Sequence, residues 1–178
     1  AIDRRMAALR APGLTADTPV ALPLSISLPA STLGELMVLR TRDVWAHEQD
    51  LRVALGRPGG LDTVGAAIFT QTMFQSLGLL ASRVAKVPVG EVVVLESTGP
   101  VVGVVGTRIG VRDDGKPLGV ALSEAESEAL RPSAGSADGP DGAAQPAQPI
   151  GVTWISMDTD ALTRRGAGRR SVEATRYA

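Results

Sequence analysis

The chain carries one histidine, His47, in the string Arg42-Asp43-Val44-Trp45-Ala46-His47-Glu48-Gln49-Asp50-Leu51-Arg52. Asp43 stands four residues before it and Asp50 three after. On a helix these three side chains project from one face. A carboxylate and an imidazole one turn apart can close on a single divalent metal, with Asp50 supporting them from the second shell of groups. The same spacing also serves an ordinary exposed ion pair, which Arg40 would join. Two protein ligands rarely hold a catalytic metal alone. The metal reading therefore asks for a further donor.

A second candidate is Gly168-Arg169-Arg170, preceded by Arg164 and Arg165. Arg169 or Arg170, near a helix-to-strand turn, can clamp a carboxylate or sulfonate-like anion. The alternative is a set of surface cations after a helix C-terminus, where positive charge is favoured. Gly103, Gly106 and Gly110 lie within Val-rich sequence and lack the G-x-G-x-x-G spacing. They read as strand bulges or points of close packing. Trp45 and Trp154 read as core or pocket wall. The G-x-S-x-G elbow of a serine nucleophile does not occur.

The elements that must position these residues follow from period and punctuation. Ile2 to Arg10 reads as a helix stopped by Pro12 and Gly13. An extended Pro-rich connection follows, with a short strand at Leu22 to Leu28. Ser31 or Thr32 offers an N-cap, and Glu35 completes a capping box with Thr32. From Leu33 to Leu55 the pattern is helical, with Leu33, Met37, Val44, Leu51 and Leu55 on one stripe. Arg40, Asp43, His47, Asp50 and Ala54 form another. Gly56, Pro58, Gly59 and Gly60 end it.

A second, largely apolar helix is expected from Asp62 to Lys86. Four Val-rich strands are expected at Glu91 to Ser97, Val101 to Val105, Thr107 to Arg112 and Leu118 to Leu122. Asp113-Asp114-Gly115-Lys116 is a hairpin turn. Ser123 caps a short helix to Leu130. The stretch 131–149 is low-complexity and reads as a disordered insertion. Ile150 to Met157 reads as a strand, Asp158 or Thr159 caps a short helix, and a last strand follows Gly168.

The fold class expected is α+β. A helical, metal-binding domain spans 1–87 and a small α+β domain spans 88–178. The chain begins inside a helix and ends inside a strand, so it reads as a fragment.

Composition excludes several functions. Of 178 residues 44% are apolar but only 3% aromatic, so the core is built from Leu, Val and Ala. A net charge of −1 gives no electrostatic case for nucleic acid or an anionic membrane. With no Cys, a thiolate nucleophile, an Fe–S centre and disulfides are ruled out. Thiol chemistry would need a thiol from a small molecule. The N-terminus lacks a signal-peptide pattern, and no apolar run reads as long enough to span a bilayer. The location expected is cytoplasmic.

The string from Arg42 to Arg52, followed by Ala54-Leu55-Gly56-Arg57-Pro58-Gly59-Gly60-Leu61-Asp62, resembles the actinobacterial mycothiol-dependent maleylpyruvate isomerase family. That family belongs to the DinB-like metal-binding four-helix bundles. Its pattern is an acid, three residues, His, then H-x-x-D-[hydrophobic]-R and a G-R-P turn. The match is specific over about twenty residues. Trp154 to Arg170 is more loosely similar to the family's C-terminal sterol-carrier-like domain with its G-R-R turn.

The resemblance implies a divalent metal, zinc by preference, on two His and one carboxylate. Asp43 and His47 supply one acid and one His. The other His would lie on a helix that this chain does not contain. The acid is more often Glu, and the 131–149 insertion is not part of the shared pattern. The implied reaction adds a mycothiol thiolate to a cis double bond of a small electrophile, allows rotation, and eliminates the thiol. Two rivals from other classes stand beside it: an apolar-ligand-binding module, and a non-catalytic metal-binding protein of the bundle type.

Overall fold

The computed structural model describes residues 2–10, 12–20, 32–132 and 151–169. It is an α+β protein whose chain divides into two compact units, Ala1–Pro58 and Gly59–Ala178. The expected strand at Leu22 to Leu28, most of the 131–149 stretch, and the strand after Gly168 lie outside the described residues.

The first unit holds α1 (Ile2–Leu9) and α2 (Leu33–Ala54). The start of α2 is set by a full capping box. Thr32 accepts from the backbone of Glu35, and the Glu35 carboxylate accepts from the Thr32 N–H at 3.1 Å. The 12–20 segment braces this end. Pro19 bridges to Thr32, and Leu33 and Gly34 donate to the carbonyls of Thr18 and Ala16. A Cβ on Gly34 would meet Ala16 at 3.1 Å, so a side chain there would push the segment back by a few tenths of an ångström. At the other end Gly56 takes φ +62°. Arg57 N–H bonds Arg52 C=O and Gly56 N–H bonds Val53 C=O, which is a Schellman stop. The Gly-Arg-Pro of the sequence is thus the device that ends α2.

The second unit begins with α3 (Val64–Leu79), capped by Thr63, which runs into a π-helical turn at Leu80–Val84. Then come β1 (Val92–Thr98), β2 (Gly103–Val111), β3 (Pro117–Ala121), α4 (Glu124–Ala129), β4 (Val152–Asp158) and α5 (Thr159–Gly166). The sheet order is β3-β2-β1-β4; β2 lies antiparallel to β1 and β3, and β4 is parallel to β1. Leu77 and Ala81 from the α3 helix join Val93, Leu95, Ile109 and Leu162 in one core. The opposite face of the sheet carries α4, where Ser127 touches Gly106.

Period alone groups α3 with the first helices, in a domain ending at 87. The structure places it with the strands. One face of it, with Leu77 and Ala81, packs on the sheet, and the boundary between the compact units falls between Pro58 and Gly59. Val64–Val84 is also long and apolar enough to cross a membrane, against the expectation that no run is. Length and composition do not separate such a helix from the core helix of a sheet, and Leu77 and Ala81 lie in the core here.

The two strands expected around Gly106 are one continuous strand. Its glycines are points of close approach: a Cβ at Gly103 would meet the Phe74 ring and one at Gly106 the Ser127 hydroxyl, both at 2.7 Å. Gly119 is tighter still, because a Cβ there would strike the backbone of Gly78, where the α3 helix crosses β3.

Candidate functional site

Asp43, His47 and Asp50 stand on one open face of α2. Their side chains are 49%, 65% and 38% exposed. The Arg40 guanidinium donates to Asp43 Oδ2 at 2.9 Å. His47 Nε2 lies 3.6 Å from Asp43 Oδ1, and Nδ1 lies 3.5 Å from Asp50 Oδ2. The imidazole therefore sits between two carboxylates, one facing each ring nitrogen. Farther round the helix, Arg52 pairs with Glu48 at 2.7 Å.

These distances define what the face can do. Two donors on a tetrahedral zinc, each about 2.0–2.2 Å from it, are about 3.4 Å apart. The Asp43–His47 separation suits a shared cation. Asp50 cannot be the third donor to that cation, because it faces the other edge of the ring. Asp43 with Nε2, and Asp50 with Nδ1, are two alternative two-donor sets. Among the described residues no group of three His, Asp or Glu side chains is placed to hold one metal ion.

The second sequence candidate falls at the end of α5. Gly168 takes φ +71°, Arg169 N–H bonds Arg164 C=O and Gly168 N–H bonds Arg165 C=O, a second Schellman stop. Arg169 is exposed, and its guanidinium donates to Ala167 C=O at 2.7 Å. Arg170 lies outside the described residues. The stripe and the arginines belong to different compact units.

Two features of the sheet unit have no local signal in the sequence. One is a cavity of about 650 Å³ between the α3 helix, α5 and the sheet, lined by Leu77, Leu80, Val84, Ile155, Met157 and Leu162 among others, with Arg165 beside them. Each wall comes from a different element, so only the fold assembles it. The other is a polar cluster on the α4 side. Arg131 pairs with Glu96 at 2.6 Å and with Glu128 at 2.9 Å, and lies 4.8 Å from the centre of the Trp154 ring. Trp154 Nε1 donates to Glu96 at 3.2 Å. Burial works against the Glu96 carboxylate. Hydrogen bonds from Arg131, Ser156 and Trp154, with the Arg131 charge, outweigh that and hold the group below its usual value. Arg131, grouped by composition with the low-complexity stretch, is bound to the sheet.

The chain matches no family model, and no curated protein or solved structure matches it.

Proposed function

We propose that the chain is part of a metal-dependent, mycothiol-using isomerase or thiol transferase of the maleylpyruvate isomerase type, acting in the cytoplasm on a small electrophile. One observation carries the reading. The acid-x-x-x-His pair stands on a single face of α2 at a separation that a shared cation can bridge, and the helix ends at the Gly-Arg-Pro stop that belongs to the same string. Asp43 and His47 would be ligands. Asp50, facing Nδ1, would orient the ring so that Nε2 meets the metal, as carboxylates commonly do for metal-binding histidines. Zinc, when bound, supplies a lowered thiol pKa. Asp43 and His47 would hold it, and a further donor would be needed to complete its protein ligands. Arg169, whose guanidinium also binds the Ala167 carbonyl, and Arg170 are the candidates to hold a substrate anion.

The test is zinc binding by equilibrium dialysis, on this chain and on any longer gene product containing it. Zinc should bind, weakly to the chain alone, and binding should be lost in His47→Ala and weakened in Asp50→Asn. Equal zinc uptake by the parent and His47→Ala would end the metal reading. Turnover of thiol–electrophile adducts would then separate an enzyme from a non-catalytic metal protein.

A second reading has its own support. The cavity of about 650 Å³ falls within the usual range of ligand sites, roughly 300–1,000 Å³, and its lining is mostly apolar. An apolar-ligand-binding module would use this cavity and need no metal. Saturable binding of an environment-sensitive fluorescent fatty acid, abolished by Leu80→Trp, is the expected result. A signal unchanged in that variant would remove the reading.

A further inference from the structure

The whole-chain charge of −1 hides a local one. From Thr63 to Gly90 the chain holds no acid, and its two cations, Arg83 and Lys86, stand together near the far end. Both are exposed, and neither pairs with an acid among the described residues. Arg165, exposed at the end of α5, lies on the wall of the cavity that Leu80 and Val84 also line.

Large apolar side chains stand among these cations. Leu79 is 61% exposed, Leu80 43%, Val84 71% and Val89 55%. Leu79 and Arg83, like Leu80 and Val84, are one helical turn apart, so the four adjoin at the helix end. Leu77 and Ala81 turn the other way, into the core. Packing on the sheet accounts for those two and gives Leu79, Val84 and Val89 no role.

We propose that this tip docks the protein on an anionic lipid bilayer. The tip is the end of the α3 helix, its π-helical turn, and the connection through Val89. The leucine and valine side chains enter the boundary between headgroups and acyl chains, and Arg83 and Lys86 lie at the level of the lipid phosphates. Their apolar stems rest on the same surface while the charged ends reach the phosphates.

The local charge count selects this occupant. The C-terminus of the helix contributes about half a negative charge. Glu91, the next acid along the chain, adds one more and is half-buried against Gly151. Arg83, Lys86 and Arg165 exceed both. A second copy seated on the tip by a twofold axis would bring Arg83 and Lys86 toward their own mates, like charge against like. A neutral apolar partner would strip water from the cations and return nothing. An anionic surface takes both kinds of side chain at once. Because Leu80 and Val84 also wall the cavity, one apolar surface runs from the tip into it.

Flotation of the full chain with lipid vesicles tests this. The chain should float with equimolar phosphatidylglycerol–phosphatidylcholine vesicles in low salt, and not with phosphatidylcholine alone. Salt should release it. Arg83→Gln with Lys86→Gln should weaken binding roughly thirtyfold, at about fivefold for each cation near the surface. Leu79→Ser with Val84→Ser should weaken it at least about tenfold. All four side chains are exposed, and an unchanged circular dichroism spectrum shows that each variant is folded. Arg57→Gln with Lys116→Gln removes the same charge outside the tip and should leave binding within about twofold.

No flotation with the anionic vesicles overturns the inference. So does binding that neither tip pair weakens, or that the Arg57 and Lys116 pair weakens as much. A dimer of the chain alone that Leu79→Ser with Val84→Ser dissociates gives the tip to a second copy and overturns it as well. All arms are run in chelator, so their failure is distinct from a failure of zinc binding.

Discussion

The stripe on α2 and the cluster around Glu96 use the same kinds of group to opposite ends. Each sets carboxylates against a guanidinium and a ring. On α2 Arg40, Asp43, His47 and Asp50 pair at three or four residues along the same helix, and the imidazole is 65% exposed. Around Glu96 the partners come from β1, β4 and the end of α4, up to 58 residues apart, and the Glu96 side chain is 13% exposed. Water screens the first array, and each of its pairs contributes about 0–1 kcal/mol. The second array is half open, with Arg131 and Glu128 43% and 44% exposed, but it covers the Glu96 carboxylate and ties three elements together. Groups left open to solvent on a helix face can be reached by a ligand. Groups closed over by a sheet are held in structural work.

The largest effect should come from the hydrophobic core on the face of the sheet opposite the Glu96 cluster. Ile109 is 1% exposed and central to the core of the sheet unit. Ile109→Ala should lower the stability of that unit by about 2–5 kcal/mol. Urea unfolding followed by Trp154 fluorescence in a Trp45→Phe background reads it. Zinc uptake at α2 should be unaffected, since the two lie in different compact units. If zinc uptake falls with the sheet, the contrast between the arrays is lost.

Glu96→Gln comes next, at about 1–2 kcal/mol, through loss of charge-assisted bonds to Arg131. Its pH dependence is more telling. The folded carboxyl titrates below its ordinary value of 4.5. Its contribution is then fully present above that value and is lost as pH falls through the lower, folded value, where the unfolded chain already binds the proton. Unfolding curves of the parent and Glu96→Gln should therefore converge as pH drops below about 4.5. Curves that stay parallel down to pH 3 would mean that the cluster is no more coupled to the fold than the stripe.

Thr32→Ala should cost roughly 1 kcal/mol by removing the cap of α2. Circular dichroism should show lost helix with the sheet unit's transition in place. This separates the stability of the helix that carries the stripe from the stripe itself.

What could be read in the sequence follows the same division. The capping boxes at Thr32–Glu35 and Ser123–Glu126, the Gly56 stop and the Asp113–Lys116 turn are signals within a few residues, and they stand where the spacing puts them. The α2 face with Asp43, His47 and Asp50 is equally local. The place of α3 was not legible, because an apolar helix has the same period whether it joins a bundle or lies on a sheet. Nor was the unity of β2: Gly103 and Gly106 resemble breaks until Phe74 and Ser127 are seen to occupy the space that side chains would need. The Glu96 cluster and the cavity depend on residues brought together by β4 beside β1, across a pairing that no local pattern encodes.

His47→Ala should produce the smallest change in stability, within about 0.5 kcal/mol, because its two carboxylate contacts are exposed and longer than a good hydrogen bond. Alanine also favours the helix more than histidine does, which offsets part of the loss. Thermal unfolding in chelator should be nearly superimposable on the parent. With zinc present the two should separate, since a ligand that binds only the folded state raises its stability with concentration. A large loss in chelator would show that His47 is tied into the fold, as Glu96 is. Near-identity in chelator with divergence in zinc is what an open face kept for a ligand requires.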